Sequence, residues 1–578
     1  MKKRILSLIL TVAMMLSVMT ILPISVSAEE NTFDISEYDT TEVFTISTAT
    51  DLVNFQNAVS TSGKTFAGKT VELAADIDLQ GVTWEGIGIT STNPFSGNFD
   101  GNGHTISNMS QTYGVKPDGK GGLFGFIRVP ANSEVEIKDF TLTGDVRLNG
   151  SGSAYFGTVV STVDAGTSGN GGTFNMTNVH SSVNIWGAAS SLDRVGGMIG
   201  QIRDKTDLVP VTLNIDSCVY DGTMKFEHKV SMSGGIIGFS GYNQSNRPLT
   251  INITNTVFAG DMILLTSEAG DLGLFIGYLK GNSSTGNLEL NVKDCMATGV
   301  MTFADGQTWK SASAACLGVV TGESLGSYAT ANVDNFYYRS FTIPGQDVVP
   351  VAQAVSNGVS DVDENTVAPK TLAEIAALTA NAFSAEAKFS FKENTHWDTY
   401  YPCPTGLVKN GEWVDSLKVS VDAQVLGAQI RITDPADDYS GIRFVAEFRK
   451  TLTTDANTAD ANFGLILISK TAYNTWSALE GEEKTFAALV DAGVQVPAVK
   501  ATTENDVVTV KATVYNIKAA NYRDEIVAIP YVDGEIVGEA VARSIFGVAT
   551  DCVADANATT VQKTFAQEII DNAPAVEE

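Results

Sequence analysis

"NIDSCVYDGTM", residues 214–224, returns along the chain as "EIKDFTLTGDV" (136–146), "NMTNVHSSVNI" (175–185), "NITNTVFAGDM" (252–262), "NVKDCMATGVM" (291–301) and "NVDNFYYRSFT" (332–342). The fourth residue of each copy falls at Asp139, Asn178, Ser217, Asn255, Asp294 and Asn335, with spacings of 39, 39, 38, 39 and 41 residues. A repeat of this length marks a solenoid, a propeller or an array. Leu213 and Ile215, Ile251 and Ile253, and Leu290 and Val292 alternate with Asn214, Asn252 and Asn291. Period two is strand geometry.

Between these units lies a second: "GGLFGFI" from 121, "YFGTVVS" from 155, "VGGMIGQI" from 195, "SGGIIGFS" from 233, "LGLFIGYL" from 272 and "CLGVVTG" from 316. Each is apolar, punctuated by glycine and too short for a helix, so it reads as a buried strand with close backbone approach. Strands of about five residues with short turns allow roughly six per repeat, which predicts two three-stranded coils per repeat. Stacked coils without helices make a parallel β-helix. A four-stranded propeller blade of ~40–45 residues is the competing architecture, but the Trp-Asp signature of blades is absent. On the two-coil reading Cys218 and Cys295 stand about four rungs or ~19 Å apart, beyond disulfide reach, and serve as small core fillers in a column with Phe140, Val179, Thr256 and Phe336.

Open solenoid ends invite strand pairing and must be covered. "TISTATDLVNFQNAVS" supplies Thr48 as N-cap, Asp51 three residues on, and Leu52, Phe55 and Val59 on one helix face, which predicts an N-terminal lid. At the far end "TLAEIAALTANAF" is helical by composition, and "HWDTYYPCP" closes the region. In "PFSGNFDGNGHTISNM" (94–109), Gly101-Asn102-Gly103 follows a strand but opens no helix, so a dinucleotide loop fails. As a calcium loop, Thr105 and Gln111 replace the required glycine and glutamate. A tight corner flanked by buried Phe99 and Ile106 is the better reading.

"DLVNFQNAV", "VELAADIDL", "WEGIG", "PFSGNFDGNGHTISNM" and "GGLFG", in this order, resemble the GLUG-type repeat proteins secreted by Gram-positive Firmicutes of the gut; "HWDTYYPCP" is similar to the ending of such regions. The resemblance covers about residues 44–410. It implies an all-β, right-handed, pectin-lyase-like parallel β-helix, surface or extracellular roles that are often adhesive, and no shared catalytic residues. "SGIRFVAEF" resembles a C-terminal module of other secreted proteins from anaerobic Firmicutes.

From about Ser416 the chain changes character. "KVSVDAQVLGAQIRI", "GIRFVAEF", "FGLILIS", "VVTVKATVYNI" and "EIVAIPYVDGEIVG" read as strands of a sandwich-like β-rich domain, with Asp533-Gly534 as a hairpin turn. Val561, Phe565 and Ile569 at four-residue spacing predict a final helix. Residues 1–28 carry a basic start, an apolar run from Ile5 to Leu22 and a Val26-Ser27-Ala28 cleavage site, which predicts a secretory signal. The expected organisation is signal 1–28, linker 29–43, β-helix 44–345, closing segment and linker 346–415, and β-rich domain 416–578. No later stretch is apolar for long enough to span a bilayer. "DNAPAVEE" is neither apolar nor basic, so free secretion or non-covalent cell-wall association is expected.

A formal charge of −29 should repel nucleic acid and anionic lipid. Cys218, Cys295, Cys316, Cys403 and Cys552 form no C-x-x-C pair, and His104, His180, His228 and His396 lie apart. Neither a disulfide scaffold nor a zinc site is expected. "DVDENTVAP" sets Asp361, Asp363 and Asn365 at metal-loop spacing, but Pro369 and a missing glycine favour a solvated linker. Asp193, Arg194, Arg203, Asp204, Lys205 and Asp207 form the densest mixed-charge cluster. Asp193 with Arg203 or Lys205 has the base-plus-cation chemistry for proton abstraction beside a uronate, although charged solenoid turns are the commoner case. Asn175, Asn214, Asn252, Asn291 and Asn332 recur at one position, as a sugar-binding stripe or a strand-stabilising ladder. Trp186, Tyr220 and Tyr242 are candidate sugar-stacking aromatics, although core packing or ordinary surface exposure is the commoner case for each. No catalytic, cofactor or metal residue is assigned. The reading is a non-enzymatic, adhesin-type protein that binds glycans or proteins of host or neighbouring cells; the alternative is an extracellular polysaccharide lyase or glycoside hydrolase on the same scaffold.

Overall fold

The computed structural model describes residues 33–575, apart from 114–120, 150–154, 166–170, 190–191, 204–210, 241–247, 267, 280–287, 304–309, 312–316, 319, 321–328, 342–360, 363–366, 396, 432–440, 454–460, 480–482, 499–500 and 505–506. The expected signal segment lies outside the described residues, as do Cys316, His396 and, within the stretch read as a linker rather than a metal loop, residues 363–366. The chain forms two compact units, one of Met1–Lys392 with Tyr400–Lys418 and one of Glu393–Thr399 with Val419–Glu578.

The first unit is a parallel β-helix, and one coil shows how the sequence builds it. Val211–Asp216 buries Val211, Leu213 and Ile215 and turns Thr212, Asn214 and Asp216 outward. Ser217 then takes a left-handed conformation, φ 56°. This corner bends the chain so that Cys218 and Tyr220 point into the core while Val219 faces out. Val219–Tyr220 and Met224–Phe226 follow, then Val230–Gly234 and Ile237–Ser240 on two further sheets. The next coil repeats each step in register: Leu213 pairs with Ile251, Val219 with Val257, Met224 with Met262, Gly234 with Gly273 and Ile237 with Ile276.

One repeat is therefore one coil of five strands, not two coils of three. Asn175 pairs directly with Asn214, and Asn214 with Asn252, so the chain gains one rung per repeat. Cys218 and Cys295 stand two rungs apart, roughly 10 Å at strand spacing, still beyond disulfide reach. Both thiols are fully buried and free; burial pushes the Cys218 thiol up to about 12 and that of Cys295 higher. The glycine-rich unit also differs from expectation. It is a corner between two short strands, as in Leu192–Gly196 and Ile199–Arg203. A Cβ on Gly197 would lie 1.9 Å from the Gly235 carbonyl oxygen of the next coil, so this corner needs glycine, although Thr158 and Leu274 take the equivalent place in other coils.

The fourth position of each repeat unit is a left-handed corner: Asp139, Asn178, Ser217, Asn255, Asp294 and Asn335 have φ between 49° and 57°. Short polar side chains tolerate this conformation best after glycine. Asn102-Gly103 makes the equivalent corner one coil earlier, φ 49° and 79°, with Phe99 and Ile106 fully buried beside it. The stretch 94–109 is thus a corner, as its glycines imply.

At the N-terminal end, helix Ala49–Ser60 lies in the connection that joins the first two rungs, Val43–Ile46 and Thr70–Leu73, which pair directly in register. Thr48 and Asp51 form a capping box, and Leu52, Phe55 and Val59 are fully buried. The far segment does something the sequence did not predict. Instead of lying across the open end, the parts of residues 371–418 that belong to this unit run back along the outside of the corner column as a strap. Its helix is short, Leu372–Ala376, and is followed by a 3₁₀ turn, Ala380–Ala382. Ser384 donates to Asp294 (backbone N to Oδ1, 2.8 Å), the Lys388 amide donates to Asn255 Oδ1 (2.8 Å), and Lys388 Nζ meets Asp216 Oδ2 at 2.5 Å. Lys409 Nζ reaches the Gly103 carbonyl. Ile375, Phe383, Phe389, Tyr401 and Leu407 bury the outward column Val219, Val257, Met296 and Tyr337.

The second unit is antiparallel. Ala423–Arg431, Gly441–Arg449, Val507–Tyr515 and Thr502–Glu504 form one sheet; Val494–Pro497, Phe463–Ser469 and Ile526–Val532 form the other, with Glu535–Ile536 and Val541–Arg543 also on the last strand. Residues of both sheets share one core, where Phe448 and Phe463 pack edge to face at 5.2 Å. Asp533 and Gly534 both have positive φ, as the two-residue turn requires. The final helix is Thr560–Asn572, but Ala566 and Ile569 face the core while Val561 is 69 % exposed. Helix Ile545–Ala554 also joins that core.

Candidate functional site

In a parallel ladder, residues at one repeat position stack into columns about 4.8 Å apart per coil. The outward side chains of the third stretch of each coil form two such columns. Ser110, Asp145, Asn184 and Thr223 make one; Thr112, Arg147, Trp186 and Lys225 make the other, two residues along. Between them runs a groove of about 430 Å³ across four coils, with Val146 and Ile185 also lining it.

Trp186 stands in the middle of this groove, 39 % exposed because its strand alternation turns it away from the core. Its neighbours in register are both cations: Arg147 Cζ lies 4.7 Å and Lys225 Nζ 5.0 Å from the indole centroid. The indole N–H donates to Glu227, 2.5 Å, and Arg147 Nε donates to Asn149 Oδ1, 3.0 Å. In the facing column Asn184 donates to Asp145 (3.0 Å) and accepts from the Thr223 amide (2.9 Å). The indole is therefore held upright by its two cations and Glu227 and presents an edge rather than an open face.

A second cleft, about 260 Å³, lies where the strap crosses the earlier coils. The outward column that is apolar at Val219, Val257, Met296 and Tyr337 becomes polar at Thr105, Thr141 and His180, and there Glu412 and Asp415 of the strap face it across the cleft. His180 Nε2 meets Asp221 Oδ2 at 2.9 Å and Ser182 Oγ at 3.0 Å. Burial tends to raise the Asp221 carboxyl, but hydrogen bonds with His180, Ser182 and Ser416 outweigh it and hold the group below the usual carboxylate range. A serine relay needs the carboxylate on one ring nitrogen and the hydroxyl on the other. Here both contact Nε2, so the trio fixes the imidazole without forming a relay.

The residues singled out in the sequence fare differently. Asn332, Asn291, Asn252, Asn214 and Asn175 form a continuous ladder, each amide donating to the previous one at 2.7, 2.9, 2.8 and 2.7 Å, and Asn175 donating to Glu134. Their donors and acceptors serve one another, which is the strand-stabilising role. Tyr220 is fully buried and donates to the Val183 carbonyl at 3.1 Å, so it cannot stack on a ligand. Asp193 lies 3.9 Å from Arg194 Nε, and the Arg194 guanidinium packs against Phe239 (3.8 Å) and Tyr155 (4.7 Å). Arg194 is thus taken up in packing. The Arg203 side chain, Asp204, Lys205, Asp207 and Tyr242 lie outside the described residues. Arg147, Lys225 and His180 were missed as site residues. The signal for the first two was present: 147, 186 and 225 are spaced by one repeat.

Among the described residues no three His, Cys, Asp or Glu side chains converge as a metal site would require, and no helix is long and apolar enough to cross a membrane. Comparison with family models, with curated proteins and with solved structures returned no match.

Proposed function

We propose that this chain is a secreted or cell-surface binding protein that holds an extended glycan along the outer groove of its β-helix and does not turn it over. The observation that carries the reading is the groove itself: four coils in register line up outward side chains along one axis, with Trp186 as its aromatic among polar and charged neighbours, a linear arrangement that suits an extended polymer. The signal-like first 28 residues and the resemblance to GLUG-type proteins support such a role outside the cell. Ligand sites combine apolar surface with a few directed polar groups, and the Trp186 edge with Asp145, Asn184 and Thr223 supplies that combination.

The test is size-exclusion chromatography of a polysaccharide panel mixed with the full chain and with Trp186→Ala. Polymer that co-elutes at unchanged length with the wild type and separates from the variant supports the reading. Polymer that never co-elutes refutes it. Shortened polymer would also refute it and favour the second reading, a lyase or hydrolase, for which the His180–Asp221 pair in the strap cleft is the specific observation.

A further inference from the structure

We infer that the groove selects an acidic polysaccharide, whose carboxylate or sulfate groups sit against Arg147 and Lys225 at the Trp186 edge. This rests on the groove being a glycan site and adds the charge of its ligand.

Three observations lead there. The chain as a whole carries a formal charge of −29, yet two cations flank the one exposed tryptophan of the groove. Among the described residues Lys225 has no ion-pair partner. The nearest carboxylate to Arg147, on Glu227, is 3.8 Å away and already accepts the Trp186 N–H. Both cations thus retain unused charge in a half-exposed groove, where an added anion gains attraction without the full cost of burial.

The indole argues the same way. A neutral sugar ring stacks on an open aromatic face, but the coils on either side place a cation 4.7 and 5.0 Å from this ring's centroid. What remains accessible is an edge bracketed by the two cations, with its N–H already held by Glu227. An anionic group fits that edge. The facing column gives the orientation: Asp145, already bound by Asn184, accepts hydroxyl protons and repels an acid group. A uronate would point its carboxylate to the Arg147–Lys225 wall and its hydroxyls to Asp145 and Thr223. The two cations stand two coils apart, roughly 10 Å of backbone. A chain with an acid group on every second sugar would engage both at once.

The experiment is a binding titration of the full chain with hyaluronan, which carries a carboxylate on every second sugar, with dextran sulfate, and with neutral dextran of matched length. Each is repeated at low and at physiological salt. Arg147→Gln and Lys225→Gln are both at solvent-facing positions, so neither threatens the core. Each substitution should weaken the acidic polymers about three- to fivefold, and both together roughly tenfold, the scale of exposed charge pairs. Salt should weaken wild-type binding and have little effect on the double variant. Hyaluronan alone responding, or dextran sulfate alone, would assign the carboxylate or the sulfate. Neutral dextran binding as tightly as the acidic polymers, with no loss in either charge variant but loss in Trp186→Ala, would overturn the acidic-ligand inference and leave the groove standing. No binding of any polymer by the wild type would overturn both.

Discussion

Asn255 tests the corner column most directly. It is buried, has φ 50°, donates from Nδ2 to Asp216 Oδ1 at 2.7 Å and accepts the Lys388 amide of the strap at 2.8 Å. Asn255→Val asks a β-branched residue to hold a left-handed conformation, which costs about 1–2 kcal/mol, and removes two hydrogen bonds worth roughly 1 kcal/mol each. The expected loss is about 3–4 kcal/mol. Asn255→Gly removes the same bonds but meets no steric cost at the corner, so it should lose only ~2 kcal/mol. Hydrogen exchange of peptides covering 249–264 and 384–392 reads both sites locally. At 1.4 kcal/mol per decade, the valine variant should exchange several hundred-fold faster than wild type and the glycine variant roughly thirtyfold. If glycine proves as harmful as valine, the left-handed backbone is not what selects the residue at this position. If the strap peptide keeps its protection in both variants, the Lys388 contact is not what holds it.

Two further outcomes follow from the same architecture. Burial would raise the Asp216 carboxyl, but the Lys388, Asn255 and Thr254 hydrogen bonds outweigh it and depress the folded value. Its contribution is therefore complete above the ordinary carboxylate value near ~3.9 and is lost as pH falls through the lower folded one. Protection of peptide 384–392 should drop below about pH 4 and depend less on pH there in Lys388→Met; wild-type protection that persists through that window would contradict the ion pair. Gly197→Ala places a Cβ 1.9 Å from a backbone oxygen and 2.5 Å from the Tyr220 ring, so its thermal midpoint should fall by an amount equivalent to about 1–3 kcal/mol; an unchanged midpoint would show that the corners do not stack this closely.

The groove illustrates which part of a site a repeat sequence can reveal. Trp186 stood out as an aromatic in a strand-forming unit, but its meaning came from Arg147 and Lys225, which share its repeat position. Columns could have been read from the alignment alone, because parallel strands in register bring equal positions together. Tyr220 shows the opposite case. Its position looked like any other aromatic site until the corner at Ser217 turned it inward.

The sequence by itself determined the parallel β-helix, its period, the N-terminal helix capped at Thr48 and a separate β-rich unit. Each rests on local physics: side-chain alternation, turn-forming Asn, Asp and Gly, and a capping box. Tertiary structure alone decided that one repeat makes one coil. A period of 39 residues is compatible with either count, and only the direct pairing of Asn175 with Asn214 distinguishes them. It also decided the strap. Lys388 meets Asp216 across 172 residues and Lys409 meets Gly103 across 306, and no local preference encodes which outward column an irregular segment will cover. That choice follows from the apolar surface of Val219, Val257, Met296 and Tyr337, which is removed from water only once the coils have stacked and the chain folds back over them.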